Sequence, residues 1–347
     1  MTWLYDWPSA GGAFRALAGR HGELHRIPHG GLGPDGEELT VDVALIGPAD
    51  ARRCVVVSSG LHGVEGVAGS AIQRAWLEAY RGGDTRLVMV HLLNPFGFAW
   101  QRRVEEDNID LNRNFLLAGE QYRGAPPGWD RVGGWLAPER PASRVDPLLP
   151  KALLALARMG RRPLLQAVGG GQYESERGLF YGGSGPSSLQ PLLREALPVW
   201  TGGAAEVLHL DIHTGLGRSG ELQLLLPRLR GTPEADELVA RFGPDARPAL
   251  ETVRHYRVQG GLGPWCEALL PDVRYTLCAA EFGSVSSTAV LSALHQENRA
   301  WFWGGRDDPP SGWARTRLSH AFAPPSQTWR RRVLERGVHL IDQAMEG

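Results

Sequence analysis

The sequence predicts an α/β fold: a mixed, largely parallel twisted sheet flanked by helices. Three observations carry that expectation. An apolar, β-branched run spans Cys54 to Ser59, a helical pattern follows it at once, and a second run of the same kind spans Leu87 to Leu93. Strand, loop, helix and strand in that order make a βαβ unit, whose right-handed crossover sets the two strands parallel in a helix-covered sheet.

Taken in order, Leu39 to Ile46 alternates apolar and polar residues and meets Gly47-Pro48, which reads as an outer strand and a turn. The run opening Cys54-Val55-Val56-Val57 suits a strand buried on both faces. A glycine-punctuated loop, Gly60 to Gly66, comes next. Val67, Ala71, Ala75 and Ala79 then recur at near-helical spacing, and Gly82-Gly83 supplies the stop. Asn94-Pro95 ends the second buried-type strand. Gly, Pro and Arg predominate from Ala118 to Pro150, so a long irregular excursion over the surface is expected there. Further strands are expected at Val207 to His213, Leu222 to Leu226 and Tyr275 to Glu281, with helices closing the chain. No repeat, low-complexity tail or linker divides the 347 residues, and one domain spanning 1–347 is expected.

The formal net charge is −1 at pH 7 without a long basic run, so the electrostatic footprint of a nucleic-acid or membrane-surface binder is missing. Peptides or small molecules are the favoured partners. No run approaches the roughly 18 to 20 apolar residues needed to cross a bilayer, and Met1 to Arg20 lacks a basic start followed by an apolar stretch. The expectation is a cytoplasmic protein. Cys54, Cys266 and Cys278 show no CxxC spacing and read as buried thiols.

Chemistry gathers at strand ends. In Gly60-Leu61-His62-Gly63-Val64-Glu65-Gly66 an imidazole and a carboxylate stand three residues apart just beyond a buried strand, and both are donors that zinc accepts. Alone, HxxE is a weak signal, since a loop His and a solvated Glu satisfy it equally. In Leu208-His209-Leu210-Asp211-Ile212-His213 the odd-numbered residues share one face of a strand, and only His213 sits at its end. His209 reads better as a hydrogen-bonded core or supporting residue. A third strand ends in Glu281, where burial and a nearby cation would tune a carboxyl as a general base. Between these lies Gln101 to Phe115, containing Arg102-Arg103, a charged run Glu105-Glu106-Asp107 that reads as a solvated face, and Asp110-Leu111-Asn112-Arg113.

HxxE, Asp-x-Asn-Arg, a strand-end His and a strand-end Glu in this order resemble the zinc carboxypeptidase superfamily, including carboxypeptidase A and the aspartoacylase-type deacylases. The wording around His62, Ser-Ser-Gly-Leu-His-Gly-Val-Glu-Gly, most resembles a bacterial branch known mainly as a domain of unknown function. The resemblance implies a zinc-carboxypeptidase-like, phosphorylase/hydrolase-like sheet holding one zinc per chain on His62, Glu65 and His213, with Glu281 as the catalytic carboxylate. It further implies that Asp110 accepts the other ring N–H of His62, and that Asn112 and Arg113 hold a substrate carboxylate. Arg103 would polarise the scissile carbonyl, with Arg102 the competing choice. Tyr256-Arg257-Val258-Gln259-Gly260-Gly261, with Trp265 beyond, is similar to the carboxypeptidase segment whose mobile tyrosine covers the substrate, which makes Tyr256 a candidate. The stretches 118–167 and 169–198 have no obvious counterpart in that superfamily and read as surface insertions.

The implied activity is hydrolysis of an amide or peptide bond in a peptide or an N-acyl amino acid, and the sequence leaves peptidase and deacylase both open. Other classes fit less well. Gly31 to Gly36 matches GxGxxG but lacks the preceding buried strand and following helix of a dinucleotide site, and no GxSxG occurs for a serine hydrolase. A zinc-binding scaffold without chemistry would be expected to have lost a ligand or the general base, yet all the candidates remain.

Overall fold

The computed structural model describes residues 1–145, 148–227, 231–248, 257–304 and 309–346. Among them, eight strands form one sheet: β1 (Gly22–Leu32), β2 (Glu38–Ile46), β3 (Arg53–Ser59), β4 (Arg86–His91), β5 (Glu206–Thr214), β6 (Leu222–Leu226), β7 (Ala246–Pro248) and β8 (Arg274–Phe282). Their spatial order is β1-β2-β4-β3-β5-β8-β6-β7. The central four, β4, β3, β5 and β8, run parallel, while β1 and β2 on one side and β6 on the other introduce antiparallel pairs. The predicted mixed, largely parallel α/β sheet is the fold observed.

Two expectations need correction. The strand at Leu39 to Ile46 is not outermost, because β1 pairs antiparallel along it from Gly22↔Ile46 to Leu32↔Glu38. Its Asp42 is also covered, by the Trp7–Ala18 helix: it is fully buried and accepts from Arg15 of that helix at 2.6 Å and from Thr40 at 2.7 Å. The edge strand escaped notice because its His-, Pro- and Gly-rich sequence lacks β-type patterning. The stretch from Ala118 to Pro150 is not wholly irregular either. It contains a helix, Trp129–Leu136, whose Val132, Trp135 and Leu136 are buried at helical spacing. With the helices Leu148–Met159 and Arg161–Gly169 it packs on Ala293, Leu294 and Leu318 in a core of its own.

The sheet has an apolar layer on each face, as alternation along buried strands requires. Val55, Val57, Leu208, Leu210, Cys278 and Ala280 lie on the side packed with Ile72 of the Gly66–Ala79 helix and Val333 and Ile341 of the Gln327–Glu346 helix. Cys54, Val56, Val207 and Tyr275 share the other side with Leu193 and Leu197 of the Leu189–Thr201 helix and with Trp265 and Cys266 of the Leu262–Leu269 helix. Among the described residues no helix is long and apolar enough to cross a membrane.

This register positions the site. Parallel pairing sets Ser58 against Asp211 and His213 against Glu281, so β3, β5 and β8 end together at one edge of the sheet. On the Val56 and Val207 face, each of these strands changes from apolar to polar or acidic residues as it nears that edge.

Candidate metal centre and its surroundings

His62 and Glu65 lie just beyond β3, where the chain turns through a single 3-10 turn, Gly63–Glu65, into the Gly66–Ala79 helix. The turn presses against the segment after β4, and a Cβ on Gly63 would lie 2.1 Å from the Gly97 carbonyl carbon, so only glycine permits the approach. Two backbone bonds fix it there: Gly63 N–H donates to Arg103 O at 3.2 Å and Val64 N–H to Arg102 O at 2.8 Å.

The side chains of His62, Glu65 and His213 converge. All three are buried, one ligand atom from each lies within 4.8 Å of the others, and the two imidazole centroids are 5.0 Å apart. Each ring has its second nitrogen on a carboxylate: His62 Nε2 is 3.2 Å from Asp110 Oδ1, and His213 Nε2 is 2.6 Å from Asp211 Oδ2. The Nδ1 atoms therefore face Glu65. His213 Nδ1 is 3.1 Å from Oε2, and His62 Nδ1 is 2.9 Å from Oε1 but out of hydrogen-bond alignment. A buried ring nitrogen with no aligned hydrogen bond among the described residues, beside a second nitrogen and a carboxylate, fits the tetrahedral N and O donor set of a divalent zinc site.

Electrostatics fix most of these groups in charged form. Burial would raise the Glu65 carboxyl, but the flanking His62 and His213 outweigh it and hold Glu65 below the usual carboxylate range. Burial likewise opposes ionisation of Asp110 and Asp211, which Arg103 and His213 respectively overcome, so both are held down. His213 loses to burial but gains more from Asp211 and Glu65, and its imidazolium persists well above the ordinary histidine range. Glu281 differs. It is partly buried, its Oε2 is shielded and without a hydrogen-bond partner among the described residues, and burial pushes its carboxyl up to about 8.

The two adjacent arginines go to different places. Arg103 donates to Glu65 Oε1 and Asp110 Oδ2, both at 3.0 Å, and its Nη2 is 2.7 Å from His62 Nε2, so it stands within the cluster. Arg102 is fully buried and turned away, with Nε on Glu297 at 2.7 Å and its guanidinium 4.1 Å from the Trp301 ring. Arg113 is also buried. Its Nη1 donates to Asn112 O at 2.8 Å and its Nη2 to Gly169 O at 2.7 Å, which puts the C-terminal end of the Arg161–Gly169 helix directly on it, while its Nε is enclosed without a hydrogen-bond partner among the described residues. Asn112 Oδ1 accepts from Leu262 N at 3.3 Å. Tyr256 lies outside the described residues. Glu105, expected on a solvated face, is buried with its carboxylate 3.6 Å from His29, whereas Glu106 and Asp107 are exposed as expected. The reason is the unforeseen β1, which carries His29 over it.

One supporting residue was missed. Asp211 shares a face with His213 two positions on, and that period-2 spacing was the available signal for its bond to the ring. Thr214 N–H also donates to Glu65 Oε2, at 3.0 Å, a backbone contact that no side-chain pattern reveals.

Sheet and site define an α/β protein with a candidate His-Glu-His metal centre at the ends of its parallel strands. The chain belongs to the family described as protein of unknown function DUF2817, whose model matches residues 9–336. A comparison with curated proteins finds no match. Among solved structures the chain is similar to carboxypeptidase A from Helicoverpa armigera, with 13% identity, 93% of this chain and 74% of that one covered, and a TM-score of 0.47. Bovine thrombin-activatable fibrinolysis inhibitor matches at 13% identity over 96% and 98% of the two chains with a TM-score of 0.46. Murein-tripeptide amidase MpaA from Escherichia coli O157 matches at 18% identity over 84% and 98% with a TM-score of 0.40.

Proposed function

We propose that this chain is a zinc-dependent hydrolase of an amide or peptide bond next to a carboxylate-bearing residue, in a peptide or an N-acyl amino acid. The observation that carries the reading is the convergence of His62 Nδ1, Glu65 and His213 Nδ1, with each ring anchored from behind by an aspartate. Zinc held there would supply Lewis acidity to the scissile carbonyl and to water. Glu281, beside His213 in the strand register, takes a proton from the attacking water on its enclosed Oε2 and returns it to the leaving nitrogen. Arg103 keeps a guanidinium among the ligands and meets the oxygen on which negative charge develops. Arg113 and Asn112 bind the substrate carboxylate. For that, Nη2 exchanges the Gly169 carbonyl for a charged oxygen, a bond about twice as strong as one to a neutral acceptor. Tyr256 remains the candidate cover for the substrate.

The test combines metal content with one substitution. Protein purified without chelators should carry about one zinc per chain. Glu281→Gln should keep that zinc and lower turnover by roughly 10²- to 10⁴-fold across a panel of free C-terminal peptides and N-acyl amino acids. Zinc-free protein that gains no activity on reconstitution would overturn the reading. Loss of zinc from Glu281→Gln would instead exchange the roles of Glu281 and Glu65.

A further inference from the structure

Behind the metal centre lies a row of buried polar groups that the proposed reaction does not use. Tyr275 OH is 2.6 Å from His209 Nδ1, His209 Nε2 is 2.7 Å from Ser58 Oγ, and Ser58 Oγ donates to Asp211 Oδ1 at 2.6 Å. Asp211 Oδ2 then receives His213 Nε2. None of these residues is more than 4% exposed, and the row runs diagonally across β8, β5 and β3 among Val56, Val207 and Leu277.

Donor counting gives the row a single direction. A carboxylate only accepts, so the one hydrogen of Ser58 is committed to Asp211. Ser58 must therefore accept from His209 Nε2–H. A neutral His209 then presents a bare Nδ1, to which the Tyr275 hydroxyl donates. Burial favours that neutral ring, drawing His209 down to about 4, and keeps the Tyr275 phenol protonated. With His209 neutral, reversing any link leaves a buried group unmatched, at a cost of about 1–3 kcal/mol, and the Tyr275 oxygen remains free to accept from its other neighbour, Cys266.

Resting on the reading of His213 as a metal ligand, we infer that Ser58, His209 and Tyr275 are positioning residues for it. Their one-way chain orients Asp211, which holds the His213 ring with Nε2 toward the core and Nδ1 toward Glu65. The sheet does not need polar groups at these places, since the flanking positions on the same face are apolar. A fully matched chain does fix one arrangement of the aspartate, and supporting contacts of this kind are worth roughly 10- to 100-fold in metal affinity.

The experiment measures zinc affinity by competition with a chromophoric chelator for wild type, Ser58→Ala, Tyr275→Phe and the double variant, with metal-free unfolding followed alongside. The ring tautomer of His209 is read by nitrogen-15 NMR. We expect His209 in the Nε2–H form, a roughly 10- to 100-fold loss of affinity for Ser58→Ala, and a smaller loss for Tyr275→Phe. The double variant should match Ser58→Ala, because a chain already cut at Ser58 cannot be cut again. A His209 ring protonated at Nδ1 overturns the inference, and this holds even if Ser58→Ala fails to fold. So does zinc affinity unchanged in both single variants while wild type binds zinc, an outcome that leaves the metal reading intact. A wild type that takes up no zinc removes the metal reading and this inference together.

Discussion

Glu281→Gln has a consequence for stability that is separable from its effect on turnover. The carboxyl is raised to about 8 against an ordinary 4.5, so the folded protein holds that proton more tightly than the unfolded chain does. Raising the pH through this window therefore costs the metal-free wild type stability, beginning near 4.5 and complete above about 8. Glutamine keeps the shape and cannot ionise. The gap corresponds to roughly 5 kcal/mol if fully expressed, and access of solvent to this partly buried side chain reduces it to about 2–3 kcal/mol. Urea unfolding of chelator-treated wild type and Glu281→Gln at pH 5, 6.5, 8 and 9 reads it directly. The stability of the variant relative to wild type should climb with pH and level off above about 8, and zinc should flatten the curve because a bound cation lowers a neighbouring carboxyl. A difference independent of pH, or one that shrinks as pH rises, would refute the assignment of Glu281 as a partly buried carboxyl whose Oε2 has no hydrogen-bond partner among the described residues.

Three further outcomes follow from the same geometry. Arg113→Ala should weaken substrate binding by roughly 10- to 150-fold, the worth of a charge-assisted contact of about 1.5–3 kcal/mol, and amidating the substrate carboxylate should cost wild type the same amount without adding to the mutation. Zinc uptake near neutral pH should release a proton, seen by calorimetry in buffers of different ionisation enthalpy, because His213 is held protonated and must lose that proton to bind metal; affinity should accordingly rise with pH. Glu297→Gln should cost roughly 3–5 kcal/mol in urea unfolding, since it leaves the fully buried Arg102 without its counter-charge.

The central sheet and the donor set were legible because both are written in short, local patterns. Apolar β-branched runs named β3 and β4, alternation placed His209, Asp211 and His213 on one face, and Glu281 closes an apolar run. The structure begins β3 one residue earlier, lengthens β5 and β8 by one residue at each end, and starts β4 one residue earlier but ends it at His91, two residues short of the expected Leu93. What could not be read was pairing between distant segments. Gly22 to Leu32 becomes a strand by hydrogen bonding to β2, not by its own composition, and Glu105 is buried because that strand brings His29 to it. The Arg161–Gly169 helix reaches Arg113 from a segment whose sequence gives no hint of its destination.

The adjacent arginines show most sharply why a ligand motif is not yet a site. The resemblance put Arg103 first with Arg102 as the competing choice; in the structure Arg103 enters the polar cluster, while Arg102 is locked on Glu297, Asn108 and the Trp301 ring. Their backbone carbonyls do what neither side chain can, accepting the N–H groups of Val64 and Gly63 in the turn that carries His62 and Glu65. Burying the Arg102–Glu297 pair thus anchors the same backbone that presents Arg103 and holds the turn of His62 and Glu65 in place. A loss at Glu297 should therefore lower stability and zinc affinity together, because it loosens the support of the turn. Ser58→Ala should lower affinity while that support stays intact, its own stability cost being the roughly 1–3 kcal/mol of a buried group left unmatched, below the roughly 3–5 kcal/mol expected at Glu297. Measured side by side, the two variants separate the packing that positions Glu65 from the hydrogen-bond chain that positions His213.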